Sequence, residues 1–177
     1  MRIFIHTISF TFLLVLGSSS VRGQKVDSLF QELFSFETLV KKDVFIEESK
    51  KILTTEINSN DAVSLLDYSF NFLKYSELTK NTELEIWVTR HIGNVYFDIK
   101  AFDRGLAFYE RSLTLAKKQN DILSEAMIYN NIGNVYSQRN ENLQAIDYYQ
   151  EAQFIFKKID KIEYAAIVSM NIGNIYL

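Results

Sequence analysis

The 177-residue sequence has no cysteine, no proline and only six glycines. Average usage would put about nine prolines and about twelve glycines in a chain of this length. Without cysteine there are no disulfides, thiolate metal sites, cysteine nucleophiles or acylated-cysteine anchors. Sheet-rich folds turn every few residues and draw on Gly and Pro for those dihedrals, so their scarcity argues against such folds. Histidine is also scarce, at two residues, which rules out a His cluster for zinc. With 47% hydrophobic residues, the composition is that of an almost entirely helical chain.

The N-terminus reads as a leader. From Met1 to Leu16, one arginine and the free amine precede an apolar run that carries no acidic residue. Gly17, Ser18, Ser19 and Ser20 follow, then Val21-Arg22-Gly23. This is the order of a secretory signal over residues 1–23, with the cut after Gly23. The competing reading is an uncleaved anchor. Ile3 to Leu16 is only 14 residues, diluted by His6, Thr7, Ser9 and Thr11, whereas a membrane span needs about 20. The mature chain would lie on the periplasmic or extracellular side. Losing Arg2 and Arg22 takes its net charge from −3 to −5. Its basic clusters are lysine pairs at 41–42, 50–51, 117–118 and 157–158, not the basic face that nucleic acid requires. No membrane contact is expected of the mature segment either.

A 40-residue period organises the second half. His91-Ile92-Gly93-Asn94-Val95-Tyr96 returns as Asn131-Ile132-Gly133-Asn134-Val135-Tyr136, and again as Asn171-Ile172-Gly173-Asn174-Ile175-Tyr176. Leu106 keeps step with Ile146, Phe108 with Tyr148, and Tyr109 with Tyr149. Self-similarity at this length marks a stacked solenoid. The apolar pattern predicts helices over 82–98, 102–119, 122–138 and 142–159. The units are therefore 81–120, 121–160 and a third, 161–177, holding a first helix alone. Residues 24–80 comprise an amphipathic helix over Val26–Lys41 that covers the open end, then a degenerate repeat with helices over 42–57 and 61–78.

Gly93, Gly133 and Gly173 sit in mid-helix, where glycine costs about 1 kcal/mol relative to alanine. Each is expected to admit a close neighbouring helix through the small residue twelve positions on, Gly105 or Ala145. Thr82-Glu83-Leu84-Glu85 reads as a capping box. The lysine pairs at 117–118 and 157–158 fall in last turns, where they complement the helix dipole.

These strings resemble the tetratricopeptide repeat. The likeness rests on Ile92-Gly93-Asn94 with Tyr96, on Ile132-Gly133-Asn134 with Tyr136, and on Ala145 with Tyr149 and Ala152. It implies an all-α, right-handed superhelical solenoid of antiparallel helix hairpins. Usual repeats are shorter and end in proline; here Lys117 and Lys157 take that place. The longer type is common in bacterial regulatory and sensor proteins and in adaptors.

Six asparagines share one stripe of the first helices, although Asn is a poor helix-interior residue. At a period of 3.6, Trp87, Arg90, His91, Asn94 and Phe97 line one face. Met127, Asn130, Asn131, Asn134 and Ser137 line the next, and Ile167, Met170, Asn171 and Asn174 the third. The resemblance implies that this face is a concave groove where asparagines hold an extended peptide by its backbone amides. The alternative is that the amides bond one another between helices and only rigidify the stack. Chaperone-docking relatives clamp a terminal carboxylate with Lys/Asn positions in two repeats and basic residues in a third. Arg90, Asn94 and Asn131 fit that pattern, while Ile167 and Asn171 do not, which favours an uncharged or apolar peptide.

No catalytic residue, cofactor or metal is expected in this segment. There is no glycine-rich phosphate loop, and a Ser-His-Asp triad would have to use His91. The expected function is a scaffold that binds a protein or extended peptide. The rival is the sensory half of a membrane-anchored signalling regulator. Its transmembrane helix and its kinase or DNA-binding output would lie past Leu177, where the third repeat lacks its second helix. An enzyme with its catalytic domain further on is a third reading. The leader can be tested first: the exported product should begin at Gln24 by N-terminal sequencing, whereas a product that retains Met1 would mark an anchor.

Overall fold

The computed structural model describes residues 62–177. The leader, the helix expected over 26–41 and the first helix of the degenerate repeat lie outside the described residues. Among those described are six helices and no strand: α1 (Ala62–Leu78), α2 (Thr82–Asp98), α3 (Phe102–Gln119), α4 (Ile122–Gln138), α5 (Asn142–Lys158) and α6 (Ile162–Ile175). They fall on the spans read from the apolar pattern, except that α5 stops one residue short, at Lys158.

What ends each helix from α1 to α5 is a residue in the left-handed region. Lys80, Lys100, Asn120, Asn140 and Asp160 all have φ between 52° and 60°, and they are evenly spaced along the chain. The N–H of the following residue then reaches back into the last turn. Asn81 N donates to Ser76 O at 2.9 Å and Ala101 N to Tyr96 O at 2.8 Å. Asp121 N donates to Ala116 O at 2.9 Å, Glu141 N to Tyr136 O at 2.9 Å, and Lys161 N to Phe156 O at 2.8 Å. This is the Schellman closure, which usually employs glycine. Here asparagine tolerates the position, and lysine occupies it against a steric penalty of about 1–2 kcal/mol.

Among the described residues, side-chain caps are used twice. Asn81 Oδ1 accepts from Leu84 N at 3.1 Å, and Asp121 Oδ1 accepts from Ser124 N at 3.0 Å. The capping box expected at Thr82 is thus displaced: the cap is Asn81, one residue earlier. Glu85 is drawn instead to Arg111, which bonds both Glu85 (2.5 Å) and Glu77 (2.6 Å) and so ties α3 to α1 and α2.

Each helix packs on the next in an antiparallel hairpin, and the first helices α2, α4 and α6 also touch one another. The core is a row of three-helix clusters. Ile86, Tyr109, Ala116, Ile128, Ile132 and Val135 join α2, α3 and α4. Ala126, Ala145, Tyr149, Ala152, Phe156, Ala165 and Val168 join α4, α5 and α6. This is an all-α helical-repeat solenoid. The buried hydroxyls of Ser69, Ser76, Thr89 and Ser112 each donate to a backbone carbonyl; that of Ser112 reaches Ile86 O at 2.8 Å across the α2–α3 seam.

The mid-helix glycines answer to a different neighbour from the one expected. A Cβ on Gly93 would lie 2.4 Å from Cε1 of Tyr109, and one on Gly133 would lie 2.6 Å from Cδ1 of Tyr149. The tyrosine ring, rather than the small residue twelve positions on, demands glycine. Gly105 lies beside the same spot, and a Cβ there would meet Gly93 O at 3.3 Å; the next repeat has Ala145 at the corresponding position. Gly173 shares the sequence string yet has nothing within 4 Å. The three alanine variants should therefore diverge. Gly93→Ala and Gly133→Ala should each destabilise by about 1–3 kcal/mol through overpacking. Gly173→Ala should be neutral or stabilising by up to about 1 kcal/mol through helix propensity alone. Urea unfolding of the three variants checks this, and equal losses at all three sites would refute the tyrosine assignment.

Candidate functional site

Because α2, α4 and α6 touch one another while α3 and α5 alternate outside them, the first helices form the inner side of the stack. The stripe of Trp87, Arg90, His91, Asn94, Met127, Asn130, Asn131, Asn134, Met170, Asn171 and Asn174 runs along these three helices. Phe97 departs from it, turning towards Phe102 at 5.8 Å between ring centroids.

Most of the asparagine amides are engaged within the protein. Asn94 Oδ1 accepts from Tyr109 OH at 2.8 Å and from Asn131 Nδ2 at 2.9 Å. Asn134 Oδ1 accepts from Tyr149 OH at 2.7 Å. Asn130 Oδ1 accepts from Asn171 Nδ2 at 3.1 Å. The amides thus bridge neighbouring first helices, which is the alternative to a peptide-holding groove, and each still has polar valence left over. Asn94 retains its own N–H groups, and Asn131 and Asn171 retain their carbonyl oxygens. Asn174 is exposed.

The two bridges differ in register for a chemical reason. Asn171 reaches the residue at slot 130. The matching slot one repeat earlier holds Arg90, which has no acceptor, so Asn131 bonds Asn94 instead. Arg90 is consequently left over. Its Nε is buried and has no hydrogen-bond partner among the described residues. Burial lowers its pKa, against the favourable fields of Tyr109, Asp121 and Tyr164.

His91 adjoins it. Its ring stacks on Trp87 at 5.2 Å with an interplanar angle of 4°, and its Nε2 is likewise buried without a partner among the described residues. Towards α6 the stripe turns apolar and open, with Ile167 52% and Met170 68% exposed, while Met127 is half-buried against the second core cluster. Among the described residues no group of three His, Cys, Asp or Glu side chains could hold a metal, and no helix is long and apolar enough to cross a membrane. The stripe read from sequence omits Tyr109 and Tyr149, which organise the asparagines. A signal for them exists, since Tyr149 stands at the same spacing from Gly133 as Tyr109 does from Gly93.

Paired helices stacked in register, with a polar inner stripe, define a helical-repeat scaffold. Residues 84–158 match the tetratricopeptide repeat, and this segment carries repeats of that family. Among solved structures it is similar in fold to BtubC (BKLC) from P. vanneervenii, with a TM-score of 0.66 and 20% identity. That match covers 90% of this chain and 66% of the other, so this chain spans just under two thirds of that protein's length. No curated protein matches the chain in sequence. Tetratricopeptide repeats generally serve as protein–protein interaction scaffolds, and their fold is generally non-catalytic.

His91 carries a pH signature. Burial, and then the charge of Arg90, lowers its pKa from 6.5 to about 4. As pH falls below 6.5 the unfolded chain takes up the proton before the folded one does. Stability present above pH 6.5 is thus lost between pH 6.5 and 4, at up to about 1.4 kcal/mol per pH unit. His91→Asn, the residue found at slots 131 and 171, should flatten that decline in urea unfolding. An unchanged slope would show that the fold does not hold the His91 pKa below its unfolded value.

Proposed function

We propose that the inner face formed by α2, α4 and α6 docks a protein or extended peptide segment, anchored at its α2 end. One observation carries the reading: Arg90 Nε and His91 Nε2 are buried with no partner among the described residues, side by side on that face. A buried donor without an acceptor costs about 1–3 kcal/mol, more when it is charged. A carbonyl oxygen of a bound segment would supply the acceptor for Arg90, and the unused amide groups of Asn94 and Asn131 lie next along the face. Trp87 at one end and the exposed Ile167 and Met170 at the other suit uncharged or apolar side chains. With Ile167 and Asn171 in the third-repeat slots, a two-site carboxylate clamp lacks half its cations. On the leader's evidence the segment would meet this face on the exported side.

Trp87 is the only tryptophan, so its fluorescence reports on this face alone. Titrating the exported chain with extended, uncharged peptides should give a saturable Trp87 signal. Arg90→Ala should weaken it by about tenfold or more, the worth of a hydrogen bond to a charged group. An unaltered affinity in a correctly folded Arg90→Ala protein would overturn the reading. Asn94→Ala and Asn134→Ala are unsuitable as primary tests, because each also releases a core tyrosine hydroxyl.

A further inference from the structure

Of the two residues one turn beyond Asn94 on α2, Phe97 turns away towards Phe102. That leaves Asp98 to continue the row of Trp87, His91 and Asn94 along the inner side. Burial, and then the charge of Asp98, raises the pKa of Tyr109, the ring whose hydroxyl bonds Asn94. The carboxylate therefore lies on the same side of α2 as the asparagine.

Three features make a carboxylate unfavourable at this position. Asp98 is the last residue of α2, at the negative end of the helix dipole. Burial raises its pKa, so the surrounding protein already strips part of its water. No cation among the described residues pairs with it. The last turn of α2 has no basic residue, Arg104 lies over the Tyr96 ring, Arg139 is held by Asp103, and Lys100 is exposed in the turn. The other described acid in a closing turn, Glu77 on α1, has its partner in Arg111 at 2.6 Å. One repeat on, the slot of Asp98 holds the uncharged Gln138, so the repeat itself does not require the charge.

We infer that Asp98 selects what docks on the inner face: it accepts one lysine or arginine side chain of a separate protein's segment, carried where that segment crosses Asn94. The inference rests on the docking reading above and adds to it the chemistry of one side chain. Asn94 and Asp98 are four residues apart, about 6 Å along the helix, a span that the stem of a lysine covers. The cation supplies the missing partner and offsets the clash with the helix dipole. The segment then offers apolar side chains to Trp87 and to the exposed Ile167 and Met170, with one cation between them. An exposed pair of this kind adds little affinity, so its work is discrimination between segments.

The test uses capped seven-residue peptides with leucine at each end, threonine and alanine between, and lysine, norleucine or glutamate at the centre. Each is titrated into the full chain and followed by Trp87 fluorescence. The lysine peptide should bind about twofold to fivefold more tightly than the norleucine peptide, and the glutamate peptide more weakly than both. Salt at about 0.5 M should shrink the preference. Asp98→Asn should abolish it while leaving the norleucine peptide's affinity unchanged, and Asp147→Asn, at an exposed acid of α5, should leave it intact. In urea, Asp98→Asn should be at least as stable as the parent chain. Equal binding of the lysine and norleucine peptides, in a chain that Arg90→Ala still weakens, overturns the role of Asp98 and leaves the docking face standing. Failure of all three peptides to bind overturns the docking reading and this inference with it. A lysine preference that survives Asp98→Asn, or a loss of stability in that variant, also overturns the inference.

Discussion

One three-residue contact holds the α2–α3 and α4–α5 hairpins together: a tyrosine ring laid over a mid-helix glycine, with its hydroxyl fastened to the asparagine that follows. Tyr109 and Tyr149 are among the most buried side chains, at 1% and 2% exposure. A buried phenol needs a hydrogen-bond partner, and burial raises the pKa of both. Asparagine supplies the acceptor from the neighbouring helix. Each component depends on the others. Any side chain larger than glycine would push the ring away, a phenylalanine would leave the asparagine oxygen short of a donor, and without the asparagine the hydroxyl would be buried unpaired. The glycine's helix-propensity penalty of about 1 kcal/mol is thus offset by ring burial and one hydrogen bond.

The rest of the architecture follows from repeating that contact in register. Because each tyrosine stands at one fixed spacing from its glycine, the intervening turn must have a fixed length and direction. The left-handed residues at 80, 100, 120, 140 and 160 provide this, closing α1 to α5 with the same backward bond. Proline could not serve there, because its ring holds φ at about −65°. Its absence from the whole sequence and the even beat of the turns describe the same constraint. The Arg111–Glu77 pair and the bridge from Arg139 to Asp103 lie at the surface and contribute little to stability, while the half-buried Arg111–Glu85 pair fastens α3 to α2.

Much of this was legible from residues alone. The exact 40-residue register revealed the repeat, and the apolar period set helix limits to within a residue. What stayed hidden depended on side-chain direction. Glycine in mid-helix showed that something passes close, but pattern alone favoured the small residue at position 105 over the ring at 109. Lysine at φ of 52–60° had no local signal, since nothing in Lys80 or Lys100 favours a left-handed backbone. It is imposed by the packing of the helices on either side. The cap at Asn81 escapes the pattern because Thr82 with Glu85 satisfies the capping-box spacing, while Glu85 is occupied by an arginine from another helix.

The inner face shows how a repeat becomes specific by breaking its own rule. If slot 90 held asparagine, as slot 130 does, it could accept from Asn131 in the way that Asn130 accepts from Asn171. Arginine cannot accept, so the bridge moves to Asn94, whose oxygen then serves both Asn131 and Tyr109. That shift satisfies the amides but leaves Arg90 Nε and His91 Nε2 out of solvent and without partners among the described residues at the α2 end. At the other end slot 170 holds methionine, which offers neither a useful donor nor a charge and lies exposed. A face that would otherwise be a uniform amide ladder is therefore polarised, with unpartnered ring and guanidinium nitrogens at one end and open apolar surface at the other. A bound segment meeting both ends would have its direction along the stack set by them.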